Sequence, residues 1–219
     1  MEVEIPAGEV RILGDLEVPP KPFGVVAFAH GTGSSRFSPR NRRVASTLQD
    51  AGFATLLMDL LTEAEETEDA ATGHLRFDIG LLADRLTDAT DWLRASQRTR
   101  GLSIGLFGAS TGAAAALVAA ARRPDAVGAV VSRGGRPDLA EAVLDQGKAP
   151  TLLIVGERDE AVINMNREAM EHLPAETELA IVPHATHLFE EPGALEEVAR
   201  LAADWFTRHL RPGHAVPPG

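Results

Sequence analysis

The 219-residue sequence contains no cysteine, which excludes a disulfide scaffold, a thiolate zinc site and a cysteine nucleophile. Basic residues are scarce relative to acidic ones: 21 Lys plus Arg stand against 32 Asp plus Glu, a net charge of −11. Nucleic acid and anionic bilayers are both polyanions, so neither is expected as a partner. Long apolar runs are missing too. The longest, Ala113 to Ala121, is alanine-rich and falls well short of the roughly 20 residues that span a bilayer. The N-terminal Met1-Glu2-Val3-Glu4-Ile5-Pro6 has neither the basic n-region nor the apolar h-region of a signal peptide. The expected location is therefore the cytoplasm. No G-x-x-x-x-G-K-[ST] loop occurs, which removes the P-loop route to nucleotide binding.

What is present is an ordinary globular composition, 44% hydrophobic and 24% charged, too apolar for a disordered chain. A single α/β core can run to roughly 200–250 residues, and one domain is expected over residues 1–210, with a disordered tail over 211–219. Val3–Ile5 and Val10–Val18 read as an N-terminal hairpin, with Gly14-Asp15 as a turn dipeptide. Apolar runs at Gly24–Ala29 and Ala54–Met58 suit strands covered on both faces, and Leu102–Phe107, Val127–Val131, Thr151–Val155 and Leu179–Val182 read as further short strands. Helical spacing of apolar residues marks Asn41–Ala51, Ile79–Ser96, Thr111–Arg122, Leu139–Leu144, Ile163–His172 and Leu195–Leu210. The acidic stretch 61–73 carries no such stripe and reads as an exposed loop. Strands alternating with helices imply an α/β fold, with a mostly parallel sheet and helices on both faces.

Gly108-Ala109-Ser110-Thr111-Gly112 matches G-x-S-x-G between a predicted strand and a predicted helix, the context that gives this motif meaning. The serine must sit on a tight turn so that Oγ projects outward, and the flanking glycines leave room for neighbouring backbone. The alternative is a glycine-rich turn that only packs tightly or binds phosphate. A nucleophilic serine needs a base, and the base an orienting acid. Asp159 follows the strand Thr151–Val155, with Glu157 and Glu160 as competing acids. His187 follows the strand Leu179–Val182 beside the hydrophobic anchor Leu188-Phe189, with His184 as its rival. An acyl-transfer oxyanion requires preorganised N–H donors. Thr111, next to the serine, and Thr32 in the loop His30-Gly31-Thr32-Gly33-Ser34-Ser35 are the candidates, with Gly33 as the alternative to Thr32. His30 is expected to hydrogen-bond the loop, and Asp59 to organise the loop beside it.

His30-Gly31-Thr32-Gly33, Gly108-Ala109-Ser110-Thr111-Gly112, Asp159 and His187 stand in the order found in the α/β-hydrolase superfamily. The chain resembles its dienelactone-hydrolase-like branch of small hydrolases without a cap domain, over about residues 22–210. Residues 35–42 (SRFSPRNR) and 132–139 (SRGGRPDL) also resemble the hydrolase segment that some bacterial proteins carry fused to a phosphoribosyltransferase domain. The resemblance implies an α/β-hydrolase fold with Ser110, His187 and Asp159 as a triad and no cofactor or metal. It departs from dienelactone hydrolases proper, which use a cysteine where Ser110 stands, so general ester hydrolysis is expected rather than a dienelactone substrate.

Only Ser132–Lys148 fills the gap where many such enzymes insert a lid, so a shallow, open site for small or short-acyl esters is expected. Lactones and thioesters would use the same machinery. A non-catalytic binding or interaction domain on the same fold is the competing reading. Two arginine clusters flank the expected site: Arg36, Arg40, Arg42 and Arg43, and then Arg133 and Arg136. Gly31, Gly33, Arg36, Arg133 and Arg136 are candidate substrate-binding residues, the arginines for a carboxylate or phosphate on the ester. The other reading of the arginines is ion pairing with the many Asp and Glu of this acidic chain. A homodimer is compatible with the edge strands and the last helix.

Overall fold

The computed structural model describes residues 1–211; the expected disordered tail, apart from Arg211, lies outside the described residues. The strands are β1 (Glu2–Ala7), β2 (Val10–Glu17), β3 (Gly24–Ala29), β4 (Ala54–Met58), β5 (Ser103–Ala109), β6 (Val127–Arg133), β7 (Thr151–Gly156) and β8 (Thr177–Val182). They form one sheet in the order β1-β2-β4-β3-β5-β6-β7-β8. The pairs β1–β2 and β2–β4 are antiparallel and all the others parallel. The helices are α1 (Pro39–Asp50), α2 (Glu63–Thr72), α3 (Ile79–Ala95), α4 (Thr111–Arg122), α5 (Glu160–Met170) and α6 (Ala194–Leu210). Side chains of α3 and α4 join one apolar core, and those of α1 and α6 join the other, on the opposite face of the sheet. Every residue of β3, β4 and β7 is therefore buried, which is why these strands read as uninterrupted apolar runs.

The strand order positions the site. From β3 the chain steps outward to β4, then crosses back to β5 on β3's other side. The loops leaving β3 and β5 run in opposite directions and open a crevice at the strands' C-terminal ends, the usual place for a ligand in an open α/β sheet.

Two expectations are corrected. Residues 63–72 form helix α2 rather than an exposed loop, and the helix is held by its ends. The Thr62 hydroxyl accepts from the Glu65 N–H, and the Glu65 carboxylate accepts from the Thr62 N–H (2.7 Å), a reciprocal cap, while left-handed Gly73 closes the other end. Asp69 is the only α2 residue that is buried, so no apolar stripe announces the helix. The hairpin turns at Gly8-Glu9, not at Gly14-Asp15. Gly14 lies inside β2, opposite Met58, where a Cβ would come within 2.9 Å of Leu56 Cδ1. Between β6 and β7 the chain makes only a 3₁₀ segment, Pro137–Gln146, and no cap is inserted there.

Candidate active site

Ser110 follows β5 and caps the start of α4, with φ 52° and ψ −118°, a conformation that costs a non-glycine residue about 1–3 kcal/mol. The surroundings impose it. The Ser110 N–H donates to Arg133 O (3.1 Å), and its carbonyl accepts from the N–H groups of Ala113 (3.1 Å) and Arg136 (3.2 Å). The flanking glycines are sterically required. A Cβ on Gly112 would lie 2.3 Å from Ala29 O and 2.4 Å from His30 O, and one on Gly108 would lie 2.4 Å from Ala113 Cα. Close backbone approach therefore presses β5, α4 and the end of β3 together around the serine.

Asp159 and His187 are brought together from β7 and β8. The Arg158 N–H donates to Ala185 O and the Glu157 N–H to Val182 O, both at 3.0 Å, which stitches the two loops side by side. Asp159 Oδ2 then lies 2.6 Å from His187 Nδ1. The rivals pair with each other instead. Glu157 accepts from the His184 backbone N–H at 2.7 Å and lies 3.3 Å from its ring, at the protein surface. Glu160 is exposed in the first turn of α5. Ser110 and His187 line one cavity of about 220 Å³, with Gly31, Thr32, Ser38, Arg40 and Arg133. No hydrogen bond joins the Ser110 and His187 side chains in this arrangement.

The loop after β3 reaches the same place. Gly31 packs on the elbow, where an added Cβ would meet Ala109 O at 3.1 Å and Ser110 Cβ at 3.2 Å. The Thr32 and Thr111 hydroxyls are 3.1 Å apart, a polar tie between this loop and the start of α4. Gly33, with φ 68°, lines an adjoining cavity of about 520 Å³ with His30, Thr32, Leu60, Leu61, Glu66 and Thr111. Burial, with Asp59 and Glu63 nearby, raises the Glu66 carboxyl above its usual range.

His30 and Asp59 hold the loop. His30 Nε2 accepts from the Leu60 N–H (3.1 Å), and its Nδ1 lies 3.0 Å from Gly31 O, so a neutral ring protonated at Nδ1 satisfies both contacts. Burial pushes its pKa down, against the Gly31 hydrogen bond and the Asp59 charge. Asp59 accepts from the Arg36 N–H at 2.8 Å.

The arginines separate into different roles. Arg36, 7% exposed, meets Glu2 at 2.8 Å, Asp59 at 3.2 Å and Asp15 at 3.9 Å. Its charge is taken up by these carboxylates, and it does not line the Ser110 cavity. Arg136 is likewise taken up in a two-pronged pair with Asp138 (2.9 and 2.7 Å) and does not line the cavity. Arg133 does line it. It is 8% exposed, and burial together with neighbouring Arg40 pushes its guanidinium pKa down to about 10. Among the described residues no cluster of three or more His, Asp or Glu is arranged to hold a metal ion.

This fold, with its strand–serine–helix elbow and an acid–histidine pair in the loops after β7 and β8, defines an α/β hydrolase. Residues 13–211 match the model of the dienelactone hydrolase family, and the chain belongs to that family. It is similar to a dienelactone hydrolase from Anabaena variabilis at 60% identity, with a TM-score of 0.95 over 96% of this chain and 98% of that one. The esterase domain of a Rhodothermus marinus protein shares the fold at 19% identity and a TM-score of 0.75, over 96% of this chain and 99% of that one. Two Mycobacterium tuberculosis proteins, provisionally named phosphoribosyl transferases, are 58% identical over 209 residues, 95% of this chain. The chain spans only 46% of their length.

Proposed function

We propose that the chain is a serine hydrolase, a carboxylesterase for small or short-acyl esters, and that Ser110, His187 and Asp159 carry the reaction. The observation that carries this reading is Ser110 held at positive φ in a cavity shared with a histidine whose far nitrogen is 2.6 Å from a carboxylate. Ser110 Oγ attacks the ester carbonyl as His187 Nε2 takes its proton, and Asp159 steadies the imidazolium through Nδ1. The developing oxyanion accepts from the Thr111 and Thr32 N–H groups, and the start of α4 adds favourable potential. The proton on His187 then passes to the departing alkoxide. Water, deprotonated by the same ring, hydrolyses the acyl-enzyme.

Small esters fit a cavity of about 220 Å³ that no inserted cap encloses. Lactones and thioesters would pass through the same steps. The transferase name belongs to proteins of which this segment is less than half, and the proposal concerns this segment alone. The test compares kcat/KM for 4-nitrophenyl acetate, butyrate and decanoate on the wild type and on His187→Ala. The short esters should be turned over fastest and His187→Ala should lose at least about 10³-fold. Turnover that His187→Ala leaves intact would overturn the proposal.

A further inference from the structure

Among the described residues three arginines are buried, and two of them are matched to carboxylates. Arg36 meets Glu2, Asp15 and Asp59, and Arg85 meets Glu65 at 2.7 Å. The third, Arg133, is 8% exposed and has no carboxylate within ion-pair distance. Its Nε and Nη1 find no hydrogen-bond acceptor, as is also true of Arg36, but where Arg36 has three carboxylates within 4 Å the Arg133 Nη2 reaches only the neutral Asn41 Oδ1, at 3.5 Å. Its charged neighbour is another cation, Arg40, on the wall of the same cavity. Arg40 Nε is also unpartnered, and its one carboxylate, the exposed Glu190, lies at 3.4 Å. The first turn of α1, with the positive end of its dipole, opens here as well, since Ser38, Arg40 and Asn41 all line the cavity.

A buried cation without a counter-ion is unfavourable unless something of opposite charge completes it. In a chain of net charge −11 acidic partners are plentiful, yet none is placed beside Arg133, and Arg40 meets only the exposed Glu190. We propose that Arg133 and Arg40 form an oxyanion subsite inside the Ser110 cavity, so that the ester cleaved there carries a carboxylate or phosphate group. The proposal rests on the serine-hydrolase reading for the bond cleaved, but not for the binding of the anion. The planar fork of Arg133 suits a two-oxygen acceptor, and Arg40 adds a second positive group at the more solvent-accessible side of the cavity.

The test compares esters matched in shape and differing in charge. On the leaving-group side, 3-acetoxybenzoate and 3-acetoxyphenyl phosphate are set against neutral 3-acetoxybenzamide. On the acyl side, mono-4-nitrophenyl fumarate is set against its methyl ester; the trans double bond prevents attack by its own carboxylate. In the wild type at least one anionic ester should exceed its neutral partner in kcat/KM by about tenfold or more, and the leaving-group pair separates carboxylate from phosphate. The anionic-to-neutral ratio, which cancels any general loss of activity, should fall towards one in Arg133→Met, fall partly in Arg40→Gln and be partly rescued in Arg133→Lys. A wild-type ratio at or below one in every pair, or a ratio unmoved by both Arg133→Met and Arg40→Gln, would overturn the proposal.

Calorimetric titration of Ser110→Ala with fumarate and with inorganic phosphate reads the subsite without turnover. Binding in Ser110→Ala that disappears in Ser110→Ala/Arg133→Met upholds the subsite even if no ester is cleaved. Ester turnover without charge preference, and with neither anion bound, would remove the subsite and leave the hydrolase standing.

Discussion

Arg133→Met and Arg36→Met remove buried arginines of nearly equal exposure, 8% and 7%, and should change stability in opposite directions. For Arg133, the fall of the guanidinium pKa to about 10 through burial corresponds to roughly 3 kcal/mol of unfavourable charging in the folded state. Methionine keeps an unbranched stem of similar reach and removes the charge. It forfeits the 3.5 Å contact with Asn41 and the placement of the guanidinium 6.0 Å from the Phe189 ring, together worth about 1 kcal/mol. The net gain is about 2 kcal/mol, which for a chain of this size raises Tm by about 4–8 °C. Arg36→Met instead strands Asp59, whose side chain is only 16% exposed, together with Asp15 and Glu2. Breaking a buried pair from one side costs about 3–5 kcal/mol, a Tm loss of at least about 6 °C. The assay is paired thermal unfolding at pH 7 in low-phosphate buffer, since an anion bound at Arg133 would stabilise the wild type and mask the gain. A fall in Tm for Arg133→Met beyond about 2 °C would refute the reasoning, because it would mean that the Arg133 charge is compensated in the folded protein.

Other expectations follow from the same geometry. Gly112→Ala places a Cβ within 2.4 Å of two carbonyl oxygens and should cost about 3 kcal/mol or more; a Tm unchanged from wild type would show that the elbow is not tightly packed. Asp159→Asn keeps the shape but supports the wrong imidazole tautomer, and should lower kcat by about 10⁴-fold with little change in Tm; equal kcat values would remove Asp159 from its role. His30, whose pKa is lowered by burial, binds its proton more weakly folded than unfolded. Its contribution to stability is therefore complete above pH 6.5 and is lost as pH falls from there through the folded pKa. Melting curves from pH 7.5 to 5 should fall more steeply for wild type than for His30→Gln, and parallel curves would contradict this.

The fold was largely readable because strands buried on both faces leave continuous apolar runs, and amphipathic helices such as α3 leave a regular stripe. The candidate site was legible in the sequence as a set of residues that the fold then brings together. Gly108 and Gly112 are dictated by backbone contacts that no Cβ tolerates, and Asp159 and His187 lie in the loops just after β7 and β8. Helix α2 escaped because its ends hold it rather than an apolar face, although Thr62-x-x-Glu65 ahead of Gly73 was the available signal. The fate of each arginine was hidden for a different reason. Arg36 is claimed by Glu2 and Asp15, side chains of β1 and β2 that only the folded sheet brings near. Arg133 and Arg136 are three residues apart, yet one ends a buried strand against α1 while the other begins a turn beside its own acid, Asp138. Spacing along the chain does not carry such distinctions.

The most direct test of the account is the intact mass of the protein after incubation with a fluorophosphonate, which reports an activated serine without requiring the natural substrate. A single adduct on the wild type, absent from Ser110→Ala, is the expected result. No adduct on folded wild type, or an adduct that persists in Ser110→Ala, would contradict the assignment of Ser110 as the nucleophile.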